Sequence, residues 1–138
     1  MTQGNKQLLL KDLCGRLPYG VICKLSAKNA DVSITEKLSL GGLEHFIYGT
    51  MDVLPYLRPM SSMTEEEFEL LKQYSGLEYD QLDLADFPNN HTCLDFYLSE
   101  IPSYVVILVF DWLNVHHFDY RGLIEEGLAL EVPEGMYK

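Results

Sequence analysis

The sequence predicts an α+β fold, in which a small N-terminal antiparallel sheet or partial barrel is covered by C-terminal helices. Three observations predict it. Between Tyr19 and Leu57 apolar and polar residues alternate with a period of two, the pattern of half-buried strands. At residue 60 the pattern changes to a capped, glutamate-rich helix start. Further on, residues 101–117 run for about four helical turns without an internal breaker. Strands first and helices afterwards are the order expected of an α+β domain. The chain has 138 residues, which suits one domain, strand-rich over 8–60 and helix-rich over 61–138.

Taken in order, residues 1–7 are polar and read as a loose tail. Leu8 to Leu13 reads as a short helix or an opening strand, stopped by Gly15 and Pro18. Tyr19, Val21, Cys23 and Leu25 alternate with Gly20, Ile22 and Lys24 as a first strand. Val32, Ile34 and Leu38 against Ser33, Thr35 and Lys37 give a second, and the polar stretch Ser26 to Asn29 joins the two as a hairpin. Gly41-Gly42 punctuates, and His45 to Met51 alternates as a third strand. Val53 to Leu57 reads as a short edge strand, because Pro55 and Pro59 have no N–H to give to a ladder.

Thr64 with Glu67 three residues later spells a capping box, and Glu65, Glu66 and Glu67 suit the positive end of a helix dipole. Phe68, Leu71 and Tyr74, with Leu70 beside them, give the buried stripe of a helix over 64–75, and Gly76 stands where a C′ glycine ends helices. Within residues 77–92 the alternation from Leu82 to Asp86 permits an extended segment, and Thr92 to Ser99 a short helix. Tyr104 to Phe110 is rich in β-branched residues and could form a buried strand. Val105, Leu108, Trp112 and Val115 recur at helical spacing, however, and Pro102 suits a first turn, so helix is the preferred reading of 103–117. His116 and His117 then fall in its last turn. Asp119 can cap a second short helix over 120–126 ended by Gly127, and Leu128 to Val132 alternates as a last strand returning to the sheet edge.

Composition excludes several functions. The formal net charge is −11, from 21 acidic and 10 basic residues. Residues 1–60 carry seven cations and five anions, a net of +2. Residues 61–138 carry three cations and 16 anions, a net of −13. Such a chain lacks the Lys and Arg needed to displace counterions from nucleic acid or to hold an anionic membrane. At 47% hydrophobic it is no disordered polyanion. The seven-residue apolar run Tyr104 to Phe110 is far too short to cross a bilayer, and no secretory leader is legible. Three cysteines, an odd and sparse set, read as reduced thiols of a cytoplasmic protein.

The chemistry-bearing patterns are weak. His91, Cys93, His116 and His117 lack the paired spacing of a zinc site, and adjacent helical histidines diverge. There is no Gly-x-Ser-x-Gly elbow and no phosphate-cradling loop, since neither Lys-Ser nor a helix start follows Gly41-Gly42. No cofactor is called for. Cys14 or Cys93 with a histidine would be the minimum for a small cysteine/histidine-dependent hydrolase, although Cys14 and Cys23 both sit in apolar surroundings and read as core residues. The densest stretch of special residues is Asp111 to Gly122. One reading makes Trp112, His116, His117, Tyr120 and Arg121 a recognition surface, since Trp, Tyr and Arg dominate interface hot spots. The other makes the stretch a corner between helices, with Trp112 and Phe118 in the core and Arg121 paired with Asp119 or Glu125.

Three strings are distinctive together: Leu10 to Val21, Tyr56 to Glu67, and the tail from Asp111 to Lys138. They resemble a group of uncharacterised small proteins from gut anaerobic bacteria and their prophages. The resemblance implies a phage or mobile-element context, a complete domain ending at its natural C-terminus, and a helix over 103–117; it carries no activity. The expected function is a non-catalytic accessory or protein-interaction module whose acidic C-terminal face meets a basic protein partner. A sharper variant is mimicry of nucleic-acid phosphates by those carboxylates.

Overall fold

The computed structural model describes residues 1–76 and 101–137. The fold is α+β, with helices α1 (Gln3–Arg16), α2 (Leu40–Tyr48), α3 (Glu65–Ser75) and α4 (Ser103–Val115). The strands are β1 (Ile22–Ala27), β2 (Ser33–Lys37), β3 (Met51–Pro59), β4 (Phe118–Asp119) and β5 (Leu130–Glu131), which together make a mixed sheet. The chain divides into two compact units, one of residues 1–57 with 123–138 and one of residues 58–122.

In the first unit, α1 replaces the expected loose tail. Thr2 caps it, its Oγ1 accepting the Asn5 N–H at 3.0 Å, and the helix continues through the Leu8–Leu13 stretch. A capped first turn makes helix out of polar residues that carry no apolar periodicity of their own. β1 and β2 form the expected hairpin, with Leu25 opposite Ile34 and Cys23 opposite Glu36. The expected third strand over 45–51 is a helix instead. Ser39 Oγ accepts the Gly42 N–H at 3.1 Å, and Gly49 ends α2 in the left-handed region at φ 73°. Alternation over a few residues is compatible with either period, and here the two caps decide. Gly42 lies inside this helix because a Cβ there would come within 3.3 Å of Leu25 Cδ2.

β3 is not an edge strand. It pairs antiparallel with β1 and parallel with β5. The Ala27 N–H donates to Val32 C=O, which turns Cys23, Leu25 and Ala27 toward β2 and Lys24 and Ser26 toward β3. Their partners Leu54 and Asp52 therefore face β1, and Pro55, next after Leu54 in the alternation, presents its hydrogen-free nitrogen to the opposite side. Proline is tolerated inside this sheet because the N–H it lacks is not one that β1 requires. The last strand forms as expected. β5 aligns Leu130 with Tyr56, and Val132 N–H donates to Leu57 C=O. Leu9, Leu13, Val21, Cys23, Leu25, Phe46, Val53, Leu57 and Leu123 are the centre of this unit's core.

In the second unit, α3 has the capping box read from sequence. Thr64 Oγ1 accepts the Glu67 N–H, Glu67 Oε1 accepts the Thr64 N–H, and Gly76 closes the helix at φ 75°. α4 settles the ambiguity of 103–117 in favour of helix, with Pro102 at its N-cap. Val105, Val109, Trp112 and Leu113 face inward at helical spacing against Phe68, Leu71 and Phe118. The expected short helix over 120–126 is absent. That stretch is a series of turns, and Asp119 lies in β4, aligned with Pro59. The extended segment expected from Leu82 to Asp86 and the helix over 92–99 lie outside the described residues. No helix among the described residues is long and apolar enough to cross a membrane.

Candidate functional site

The dense stretch from Asp111 is organised by a chain reversal. α4 carries Trp112 and ends at His116, and His117 adopts the left-handed region at φ 65°. That conformation is uncommon for a residue with a side chain. The reversal lays Phe118 back along Trp112, the rings 5.8 Å apart and nearly parallel, while His116 packs on the other ring contact of Trp112 at 4.2 Å.

Arg58 extends this stack. Its guanidinium sits 4.2 Å over the Phe118 ring, and its two terminal nitrogens donate to the two oxygens of Glu67 at 2.6 and 2.7 Å. Its backbone N–H donates to His117 C=O at 2.8 Å. A planar, always-charged fork suits both the ring face and the carboxylate. The hydrogen bond from Arg58 holds the Glu67 carboxyl below its ordinary value against the opposing effect of burial, and the Thr64 N–H adds to it. Burial lowers His116 below its ordinary value, so the imidazole favours its neutral form.

Of the five residues expected to form a recognition surface, three are core. Trp112 is 5% exposed, His117 8% and Tyr120 3%. Tyr120 donates its hydroxyl proton to Asn114 Oδ1 at 2.9 Å and meets the Phe110 ring edge-on at 5.0 Å. His116 and Arg121 keep part of their surface, and Arg121 donates to the Tyr120 hydroxyl at 3.2 Å while lying over its ring. Trp112 and Phe118 are core, as the second sequence reading expects, but no second helix follows, so the stretch is a packed chain reversal and not a corner between helices. Arg58 was missed, although it is the sole cation between Lys37 and Lys72 and precedes a glutamate-rich helix start. That is a signal for an ion pair, with the carboxylate left unspecified.

The outer faces of α3 and α4 are different in character. Arg58 brings Glu67 beside Phe118, just past the end of α4, while Tyr74 donates to Asp111 Oδ2 at 2.7 Å. The contacts run in opposite directions along the two helices, so α3 and α4 are antiparallel. Glu66, Leu70 and Tyr74 follow at intervals of four on one stripe of α3, all exposed. Leu70 is 53% and Tyr74 48% exposed, and Val115 of α4 is 38% exposed.

The first unit holds a buried polar group that the sequence did not announce. Asp12 and Arg16, one turn apart on α1, are both fully buried and joined at 2.8 Å. Cys23 lies close enough to feel both charges, and burial first, then Asp12, pushes its thiol up to about 12. Such a thiol is protonated and a poor nucleophile at neutral pH. Tyr137 is pushed up to about 12 by burial. Cys14 is exposed, and neither it nor Cys23 hydrogen-bonds a histidine among the described residues. His45 instead meets the Thr50 hydroxyl at 2.7 Å. Cys93 and His91 lie outside the described residues. Among the described residues no group of three His, Cys, Asp or Glu side chains is placed to hold a metal ion. No family model, curated protein or solved structure matches the chain.

Proposed function

We propose that this protein is a non-catalytic interaction module that engages a basic protein partner through the exposed face of α3 and α4, in the cytoplasm and in a phage or mobile-element context. The observation that carries this reading is the stripe Glu66, Leu70 and Tyr74, which joins a surface carboxylate with no ion pair among the described residues to large exposed side chains. Apolar anchors rimmed by charge are the usual make-up of protein-binding patches. Glu65 adds negative charge on the same helix, and His116 adjoins Val115 at the end of α4. Among the described residues, the other exposed C-terminal carboxylates, Glu125, Glu126, Glu131 and Glu134, belong to the first unit. Among the described residues the acidic part of the proposed face is therefore on α3. The hydrolase reading rests on Cys14 or Cys93; Cys14 hydrogen-bonds no histidine among the described residues, and Cys93 lies outside them.

A titration of the labelled protein with a peptide of alternating Lys and Leu, followed by backbone NMR, tests this. Shifts should concentrate on α3 and the end of α4, weaken with added salt, and disappear in the Glu66→Lys, Leu70→Glu double variant. Absence of binding, or binding indifferent to salt and to the double variant, would overturn the reading.

A further inference from the structure

Strand β2 lies at the end of the sheet order, with β1 on one side and no strand on the other among the described residues. All five of its residues are exposed. The same alternation that turns Cys23, Leu25 and Ala27 toward β2 turns Val32, Ile34 and Glu36 toward β1. The backbone N–H and C=O groups of Ser33, Thr35 and Lys37 therefore point outward. An edge of this kind is a template for another strand. Beside it stand two large apolar side chains, Val32 at 61% and Ile34 at 48% exposed. Ile34 is opposite the buried Leu25, so it lies on the face of the sheet that carries the core.

We propose that the strand this edge accepts is β2 of a second copy of the chain, antiparallel, with Ile34 on the twofold axis. The pattern of the segment Asp31-Val32-Ser33-Ile34-Thr35-Glu36-Lys37 selects both partner and register. With Ile34 opposite itself, Ser33 of each copy faces Thr35 of the other. Both are outward-pointing residues, as an antiparallel hydrogen-bonded pair requires. Asp31 of each copy then faces Lys37 of the other, giving two opposite-charge pairs, and the two Ile34 side chains bury one another, with Val32 of each copy on the diagonal and directly opposite the aliphatic stem of Glu36. Moving the axis to Thr35 puts Asp31 opposite Ser39 and Ile34 opposite Glu36, losing both gains. Moving it to Glu36 sets the two Glu36 carboxylates against each other. Moving it to Ser33 places Glu36 and Lys37 against Ala30 and Asn29 in the hairpin loop, where the ladder cannot extend. One register alone satisfies backbone direction, charge and apolar burial together. The association stands apart from the proposed partner face, which is on α3 and α4.

Sedimentation equilibrium across micromolar to submillimolar concentration tests the proposal. The expected result is a monomer–dimer equilibrium. Asp31→Lys and Lys37→Asp, each alone, should weaken it by about tenfold or more, because each turns two attractive pairs into repulsive ones. The double variant Asp31→Lys with Lys37→Asp restores complementarity and should recover dimerisation. Ile34→Cys, in a chain with Cys14→Ser and Cys93→Ser, should yield a covalent dimer on mild oxidation. Non-hydrogen-bonded antiparallel pairs hold their Cα atoms about 4.5 Å apart, within disulfide reach. A chain that stays monomeric throughout the range would overturn the proposal. So would a dimer that is indifferent to charge reversal or fails to cross-link through Ile34→Cys. These readouts do not involve the Lys-Leu peptide, so failure here leaves the partner-binding result standing, and the converse holds.

Discussion

Tyr137 shows how much one side chain can do at a place no local pattern reveals. The β1–β3 ladder ends at the pair Cys23 and Pro55, and the next pair in register would be Ile22 and Tyr56. Between those two the Tyr137 hydroxyl is inserted, accepting the Ile22 N–H at 2.7 Å and donating to Tyr56 C=O at 2.9 Å. It bridges an opened rung and ties the C-terminal segment to two strands of its unit. Tyr137→Phe removes the bridge and leaves the Ile22 N–H without this acceptor, a loss of about 1–3 kcal/mol. Chemical denaturation should show that loss, with faster hydrogen exchange at the Ile22 amide. Unchanged stability and exchange would mean the bridge contributes nothing. The sequence offers no trace of this contact because the partners are 115 positions apart. Asp12 and Arg16 are different: their spacing was legible as a helical pair once α1 was assigned, but not their complete burial. A buried pair of that kind is costly to break, because either partner alone would be a buried unpaired charge.

At the scale of elements, both ends of α3 follow from the sequence, but its buried stripe only in part: Phe68 and Leu71 are buried as expected, while Tyr74 and Leu70 are exposed and Ser75 is buried instead. Thr64, Glu67 and Gly76 specify a start and a stop by local hydrogen bonding and backbone preference, which need no tertiary partner. The same caps were overlooked in α2, where Ser39 and Gly49 outweigh a short alternation. Glu67 also does what a sequence reading could not assign, receiving Arg58 in a two-point ion pair. Its lowered pKa stabilises the fold above the ordinary value of 4.5, and that stability is lost as pH falls from there through the folded-state value. His116 is lowered from 6.5 by burial, so below 6.5 the unfolded chain takes up the proton first and stability declines. Melting temperature should therefore fall in two stages on acidification. Glu67→Gln should lower stability at pH 7 and flatten the stage below 4.5 relative to the unsubstituted chain. His116→Asn should flatten the stage just below 6.5. Parallel profiles for all three proteins would refute both assignments.

For the whole molecule, the net charge of −11 is the dominant electrostatic fact. Several carboxylates are engaged locally: Glu67 by Arg58, Glu69 by Lys72 at 2.6 Å, and Asp111 by the Tyr74 hydroxyl. The exposed remainder repel one another, and salt screens that repulsion. Raising ionic strength from about 0.01 M to about 0.15 M shortens the screening length from about 30 Å to about 8 Å. The melting temperature of the protein at neutral pH should rise over that interval. A fall would mean that attractive surface pairs outweigh the excess negative charge.

The sequence by itself determined what is local: the α+β class, the β1–β2 hairpin, the capped helix α3 and the helical reading of α4. Each rests on periodicity or on caps a few residues apart, where the chain's own stereochemistry supplies the signal. Tertiary structure decided what depends on partners distant in sequence. It placed β3 inside the sheet by turning the Pro55 nitrogen away from β1, and it packed Trp112, His117 and Tyr120 into a core. It also returned residues 123–138 to the unit of residues 1–57. Burial and strand order arise from which apolar faces find each other, and a one-dimensional pattern says which residues are apolar without saying which others they meet.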